Sequence, residues 1–382
     1  MQSTRRAQAR ERSLDGLRGL ALILVLLSHG WALWPTDEVK EGTPWGQALR
    51  SGNLGVTIFL VVGGYLLIDG LMRMPVEHAA GEFCRALVRR VIRIAVPVLV
   101  LLTAILAASV LDETDKTPPE ATRRSVVAVA TFTWNWYLQN NPLVARSDLG
   151  HLWYVSVFVQ ATLLLTGLFF VFRRHLWAFV VVASLMLVLV IWWRAHLAGQ
   201  ESDTIAMLLR TSARIDGMLW GALLAAARPW WGKLAIPPPV MALAGLLSLL
   251  VLTLTVGNST LYYGWRGQAM ALGTAAAVVG LAGLDRQWRG TRMLSVAPLA
   301  WLGQNSLTIY VWHFPLFFLV ARHSTEWAWP LRTAVGLVLT CATCYILIRA
   351  VERPVAAWLR SWRWTRPRST TSQPILESVD AR

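Results

Sequence analysis

Charge is scarce in this chain of 382 residues: Asp, Glu, Lys and Arg together make up 15%, where a soluble domain carries about a quarter. So little charge excludes an ordinary water-soluble globule, and a 55% hydrophobic content makes lipid the main solvent. Acidic residues are the scarcer sign, 21 against 36 basic ones, which leaves a net charge of +15. Such an excess could serve nucleic acid, but the arginines are spread through short connectors between apolar runs rather than gathered on one soluble face. Nucleic acid is therefore not expected as a partner, and membrane orientation accounts for the charge better. Cysteine is almost absent. Cys84, Cys341 and Cys344 are too few for a disulfide framework, and one C-x-x-C inside an apolar run lacks the two further ligands of a zinc site. Cys341 and Cys344 are assigned to packing, and no metal is expected. Also missing are a G-x-S-x-G elbow, a Walker-type glycine loop and an H-E-x-x-H helix. Hydrolase, ATP-driven pump and metalloenzyme readings lose their usual support.

What the chain does have is long apolar runs. They lie near 14–34, 54–72, 94–111, 152–172, 176–193, 205–227, 237–256, 265–284, 298–320 and 331–350, each close to the roughly 17 to 25 residues that span a bilayer. The first is longer than a signal-peptide core and is followed by others of its kind, so it reads as a retained span. The expected fold is all-α and integral to the membrane: a bundle of about ten transmembrane helices over residues 1–353, then a basic tail, 354–382, disordered towards its end. A tryptophan-rich piece, Val126 to Leu138, is placed as interfacial or re-entrant; if it spanned, there would be eleven helices and the C-terminus would change sides.

Lys and Arg collect on the cytoplasmic side of a membrane protein. With the N-terminus inside, inner segments hold the Arg5 to Arg12 group, Arg73 to Arg93, Arg173 and Arg174, Arg228 and Lys233, Arg286 to Arg292 and the tail from Arg353, about 22 of the 36 basic residues. Lys40, Arg50, Lys116, Arg123, Arg124, Arg146, Arg194 and Arg322 fall outside. Both termini are expected in the cytoplasm, and because the Arg, Ala and Trp usage is consistent with a GC-rich bacterium, the chain is expected in a bacterial plasma membrane.

Ionisable groups inside spans are costly and point to function. The first span carries Asp15, Arg18 and His29. Eleven helical residues separate Arg18 from His29, which leaves them about 20° apart around the axis and roughly 16 Å apart along it. They form one stripe at two depths. On a structural reading Arg18 snorkels to headgroups and His29 bonds a neighbouring carbonyl; on a functional one a cation meets phosphate at the rim and an imidazole acts as a base deeper in. The segment EFCRALVRRVIRIAVP sets Arg90 and Arg93 on one face, with Arg85 and Arg89 a turn earlier: either a positive-inside loop or an array of guanidinium forks for a polyphosphate. In the sixth run Arg210 and Arg214 stack at i, i+4, Gly217 and Gly221 continue a small-residue stripe, and Asp216 lies on a neighbouring face. Arg214 and Asp216 either neutralise partners or touch ligand. The ninth run, with Gln304, Asn305, Ser306, Tyr310 and His313, is too polar to face lipid. Trp153 and Tyr154 suit an aromatic belt or a site wall, and Glu352 suits an ion pair with Arg349 or Arg353.

Taken in order, LDGLRGLALILVLLSH, GVTIFLVVGGYLLI, RRVIRIAVP, HLWYVSVFVQ, RIDGMLWGALLA, WLGQNSLTIYVWHFP and VERPV resemble the membrane-bound acyltransferase family 3, whose members O-acylate surface polysaccharides, lipid-linked sugars, peptidoglycan and some macrolides. The resemblance implies that His29 activates the acceptor hydroxyl and that Arg18, Arg89, Arg90 and Arg93 serve acyl-CoA, acetyl-CoA being the simplest donor, with Arg18 counted in the catalytic pair. Trp153, Tyr154, Arg214, Asp216, Ser306, Tyr310 and His313 are the candidates for substrate contact. The implied acceptor is a hydroxyl-bearing glycan, glycolipid or small molecule. Two departures bear on which: Gly63-Gly64-Tyr65 stands where many members have Ser-Gly-Phe or Ser-Gly-Tyr, and no glutamate precedes Gln160. No hydrolase-like C-terminal domain follows in this sequence, so the acceptor is expected to be bound by the membrane domain itself or with a partner, a second copy or a glycan-assembly protein. A multi-span transporter of a small anionic or sugar-like solute is the alternative, against which the lack of internal repeats counts.

Overall fold

A chain in lipid must close its backbone hydrogen bonds within each segment, and helices do so. In the computed structural model every element among the described residues is helical; those residues are 2–35, 39–40, 42–74, 80–199, 204–255, 264–284 and 288–362. The expectation of a disordered tail end falls on 363–382 and lies outside them, as do Arg286 and the side chains of Arg5, Arg6 and Arg10.

The first apolar run forms α1 (Gln2–Leu33), which is followed by a short α2 (Pro44–Leu49) capped by the Thr43 hydroxyl, which accepts from the Gly46 N–H at 3.1 Å. Next come α3 (Gly52–Met72) and α4 (Ala80–Leu111), then two short helices, α5 (Pro119–Ala130) and α6 (Trp134–Asn140). A 3-10 segment, Ser147–Leu152, leads into α7 (Trp153–Phe172), and α8 (Leu176–Gly199) returns. Three pieces follow, α9 (Thr204–Leu209), α10 (Thr211–Arg214) and α11 (Asp216–Ala226), before α12 (Pro238–Thr255) and α13 (Trp265–Gly283). After α14 (Arg289–Leu294) come α15 (Ala297–Gln304), α16 (Ser306–His323) and α17 (Trp329–Leu347). A π-helical turn, Ile348–Glu352, carries α17 into α18 (Arg353–Ser361), so the helical path runs straight through residue 353.

Among the described residues, seven helical stretches are long and apolar enough to cross a membrane: 12–33, 52–72, 80–111, 147–172, 176–198, 238–255 and 329–361. The three other expected spans fall short for distinct reasons. The run 205–227 breaks at Arg210, whose ψ of 128° is extended, and again at Ile215. Arg210 and Arg214 therefore do not stack on one continuous helix. The run 298–320 breaks at Asn305, between α15 and α16. Helix α13 is unbroken, but Arg266, Gln268 and its many Gly and Ala residues dilute its apolarity. Val126 to Leu138 is divided at Phe132, whose φ of 55° is the one left-handed non-glycine conformation among the described residues. The flanking helices of 12 and 7 residues reach only about 18 Å and 10 Å, too short for a core of about 30 Å.

Helix α3 lies at the centre, packed by α1, α7, α11 and α13, and 16 of its 21 residues are buried. Small residues let its backbone approach α11: a Cβ built on Gly221 would meet the Val61 carbonyl oxygen at 2.0 Å, and one on Gly64 the Met218 oxygen at 2.2 Å. The stripe read from Gly217 and Gly221 is this contact. Buried charge is neutralised across helices. Arg194, expected outside, instead lies in α8 with Nη1 2.9 Å from Asp216 Oδ2, both side chains under a tenth exposed. At the far end of the bundle Arg146 bridges Asp115 and Asp148, at 2.7 and 2.6 Å, and donates to the Thr122 hydroxyl at 2.9 Å.

Candidate active site

Chain direction brings the starts of α1, α4 and α16 and the end of α17 to one end of the bundle. Between them lies a cavity of about 900 Å³ lined by Arg18, Arg90, Arg93, Arg353 and Arg360 together with Gln304, Asn305, Ser306 and Glu352. The break at Asn305 is what turns the polar side chains of the ninth run into this wall. Arg18 donates to the Ser306 hydroxyl at 2.8 Å and pairs with Asp15 at 3.4 Å, and its side chain stays 25% exposed. Arg90 reaches the Gly63 carbonyl at 3.4 Å and lies 5.6 Å from the Phe158 ring centre. Arg89 turns away from the cavity and donates to the Trp362 carbonyl. Glu352 does not form the expected pair with Arg349 or Arg353; it accepts from the Thr308 hydroxyl, while Arg349 stacks over Tyr345. The π turn rotates Glu352 onto the cavity side, a register a regular helix wheel does not predict.

The deep end of the cavity is walled by Phe59, Tyr154 and Tyr310, three rings in mutual contact. Tyr154 and Trp153 are buried, so they are not a lipid-facing belt. Trp153 carries Arg214, whose guanidinium carbon lies 5.4 Å from the ring centre, while Asp216 is held by Arg194 and Gln268. Among the substrate candidates, Ser306, Tyr154 and Tyr310 therefore meet at the cavity. Trp153, Arg214 and Asp216 do not line it.

Beyond Tyr310 stand three histidines. His29 Nδ1 lies 2.7 Å from His313 Nε2, and the rings are stacked with centres 5.0 Å apart. His313 is fully buried and its Nδ1 faces the carbonyl oxygens of Tyr310 at 2.8 Å and Ile309 at 3.1 Å. Carbonyls only accept, so His313 Nδ1 carries a hydrogen; in the neutral ring Nε2 is then the acceptor, and His29 Nδ1 must donate to it. His29 Nε2 is left with its lone pair and has no partner among the described residues. The third ring, His151, sits 6.3 Å from His29 and 5.3 Å from His313. Sequence reading passed over His151, because the residue before a span looks like a connector. The signal available was its place in HLWY.

Arg18 and His29 thus both face α16, one through Ser306 and the other through His313, as the single stripe on α1 requires. Residues 11–349 match the family described as Acyltransferase domain. The chain belongs to this acyltransferase family. Two relatives of the family add detail. The chain is 24% identical to the O-acetyltransferase OatA of Staphylococcus aureus over 90% of its own length and 56% of the relative's. It is also 24% identical to the peptidoglycan O-acetyltransferase OatA of Listeria monocytogenes, over 92% and 57%. The chain thus spans little more than half the length of these relatives. No solved structure matches it.

Proposed function

We propose that this acyltransferase-family chain moves an acyl group, acetyl being the simplest, from cytoplasmic acyl-CoA to a hydroxyl of a cell-envelope glycan or another sugar-containing acceptor, with His29 as general base. The observation that carries the reading is the His29–His313 pair, which leaves one bare imidazole nitrogen on a half-buried ring behind an arginine-lined cavity. Membership of the family and the O-acetyltransferase relatives support the reaction class, and the family does not favour the transporter alternative.

A thioester is already an activated acyl donor, so the site needs a positioned base and alignment of two substrates. The acceptor hydroxyl donates to His29 Nε2. As the proton passes to that nitrogen, the oxygen bonds to the thioester carbonyl carbon. Collapse of the tetrahedral intermediate breaks the carbon–sulfur bond, and the departing CoA thiolate takes the proton back from His29. Two protons on the His29 ring are tolerated for that interval because Nδ1–H stays bonded to His313 Nε2. The CoA phosphates are bound by Arg18, Arg90 and Arg93 with Arg353 and Arg360 near them, guanidinium being suited to bidentate phosphate contact. The pantetheine arm passes Tyr154 and Tyr310 to bring the thioester to the histidines. This direction places the arginine end in the cytoplasm, as positive-inside asymmetry also does, and a plasma-membrane protein of ten crossings, three of them made by broken or less apolar helices, agrees with it.

Purified protein mixed with acetyl-CoA and glycan fragments from the cell envelope should release free CoA thiol and acetylated fragments. His29→Gln should still bind acetyl-CoA while turnover falls about 100- to 10,000-fold. A correctly inserted His29→Gln protein that turns over at the wild-type rate overturns the reading.

A further inference from the structure

His151 has no part in the proton transfer just described, yet it is placed as firmly as the two histidines that do. It belongs to the 3-10 segment Ser147–Leu152 and is 3% exposed. Its backbone carbonyl accepts from the Tyr310 hydroxyl at 2.7 Å. Nε2 lies 3.0 Å from the Val311 carbonyl oxygen, an obligate acceptor, so Nε2 carries the hydrogen and the lone pair of the neutral ring is on Nδ1. That nitrogen is buried and has no hydrogen-bond partner among the described residues. A buried acceptor without a donor carries a standing cost and calls for an explanation.

What could meet it is constrained by the neighbours. His29 stands edge-on, 6.3 Å away with an 81° angle between rings, and Phe314, 5.1 Å from His151, and Tyr310, 5.3 Å away, close two further sides with carbon-rich faces. His313 Nε2 is occupied by His29, and His313 Nδ1 by carbonyls. Two open lone pairs therefore remain in one cluster, His29 Nε2 and His151 Nδ1, and the surrounding rings supply no hydrogen to either. A ligand complementary to this arrangement brings two donors, one to each of two rings whose centres lie 6.3 Å apart. A carbohydrate or other polyol does so with neighbouring hydroxyls; a simple alcohol has one.

We propose that His151 is an acceptor-binding residue, whose Nδ1 takes a hydrogen bond from a second hydroxyl of the same polyhydroxylated acceptor that presents its attacking hydroxyl to His29. The inference rests on the reading of His29 as base and adds the recognition of the acceptor to it. His151 thereby favours sugars over lone alcohols and fixes which hydroxyl of the sugar is acylated.

Two amide variants separate this role from a structural one. His151→Gln keeps an N–H near the position of Nε2, able to hold Val311, but removes the acceptor at Nδ1. His151→Asn keeps an acceptor near Nδ1 and gives up the bond to Val311. Full-length protein in detergent, with acetyl-CoA and muramidase-released glycan fragments of the host envelope as the probe acceptor, gives kcat and KM for both substrates. His151→Gln should raise the glycan KM roughly tenfold, the worth of one lost hydrogen bond, with the acetyl-CoA KM and thermal midpoint unchanged. His151→Asn should restore much of that KM at a lowered thermal midpoint. The opposite order, with Gln harmless and Asn damaging, shows a tether to Val311 and overturns the inference, as does a loss in both variants that follows thermal stability alone. His29→Gln in the same assay tells the two failures apart. If it retains activity, the base assignment falls and the inference falls with it; if it is inactive while His151→Gln binds glycan normally, the base stands and only the inference fails. Wild-type protein that releases no CoA with these fragments overturns both.

Discussion

The proposed role of His29 as base requires its hydrogen on Nδ1, the nitrogen that meets His313 Nε2. Removing that acceptor should free the ring to adopt the other tautomer, so His313→Leu is expected to lower turnover by more than about tenfold with acetyl-CoA binding intact. His313→Gln retains a side-chain acceptor and should recover part of the loss; equal rates for wild type and His313→Leu, read as CoA release, would remove the tautomer argument. Arg18→Ala should behave differently, weakening acetyl-CoA binding with partial recovery at high donor concentration, because Arg18 faces the cavity and not the histidines. Away from the site, Asp115 illustrates a charge held by its neighbours. Burial works against its carboxylate, but hydrogen bonds from Thr117 and Arg146 overcome that and bring its pKa from 3.8 down to about 2. A depressed folded pKa stabilises the protein above the unfolded value, and the contribution is lost as pH falls from about 4 to about 2. Thermal midpoints of Asp115→Asn protein should therefore decline less steeply across that window than those of wild type.

At the scale of elements, the contact between α3 and α11 depends on glycine and the cavity depends on helix breaks. Gly221→Ala forces a Cβ to within 2.0 Å of the Val61 carbonyl oxygen, so the two helices must separate. A lower thermal midpoint and poorer yield in detergent are expected. Gly70→Ala in the same α3 meets nothing within 4 Å and should be neutral or stabilising by about 0.5–1 kcal/mol, as for alanine in a helix interior. If the two variants melt alike, close packing is not what holds α3 to α11. In α4, the Arg90→Lys, Arg93→Lys double variant keeps charge and orientation but removes the bidentate forks. Acetyl-CoA affinity should fall while membrane insertion is unchanged, and an unchanged affinity would leave these arginines with only an orienting role.

For the whole molecule the question is how many times the chain crosses. Among the described residues seven stretches qualify by length and apolarity, and the proposed ten-crossing topology adds α9 to α11, α13 and α15 with α16. It requires position 73 inside and positions 40, 124 and 322 outside. Single cysteines at these sites, in a background lacking Cys84, Cys341 and Cys344, should react with a membrane-impermeant reagent from opposite sides of the membrane. Labelling of position 124 from the same side as position 73 would exclude that topology.

Helix class, the membrane environment and the stripe from Arg18 to His29 were legible in the sequence because each depends on local pattern: run length, charge scarcity and a spacing of eleven residues on a 100° wheel. The family motifs could be read in order for the same reason. Partnerships between distant segments are of another kind. That His313 orients His29, that Arg194 neutralises Asp216, that Arg89 leaves the cavity and Glu352 enters it, and that His151 joins the cluster all depend on which helix faces meet, and no local periodicity encodes that. The breaks at Arg210, Ile215 and Asn305 were hidden for a related reason. Apolar composition runs on across them, so hydropathy sees one span, whereas the interruption is held in place by neighbouring helices that supply the freed backbone and polar side chains with partners.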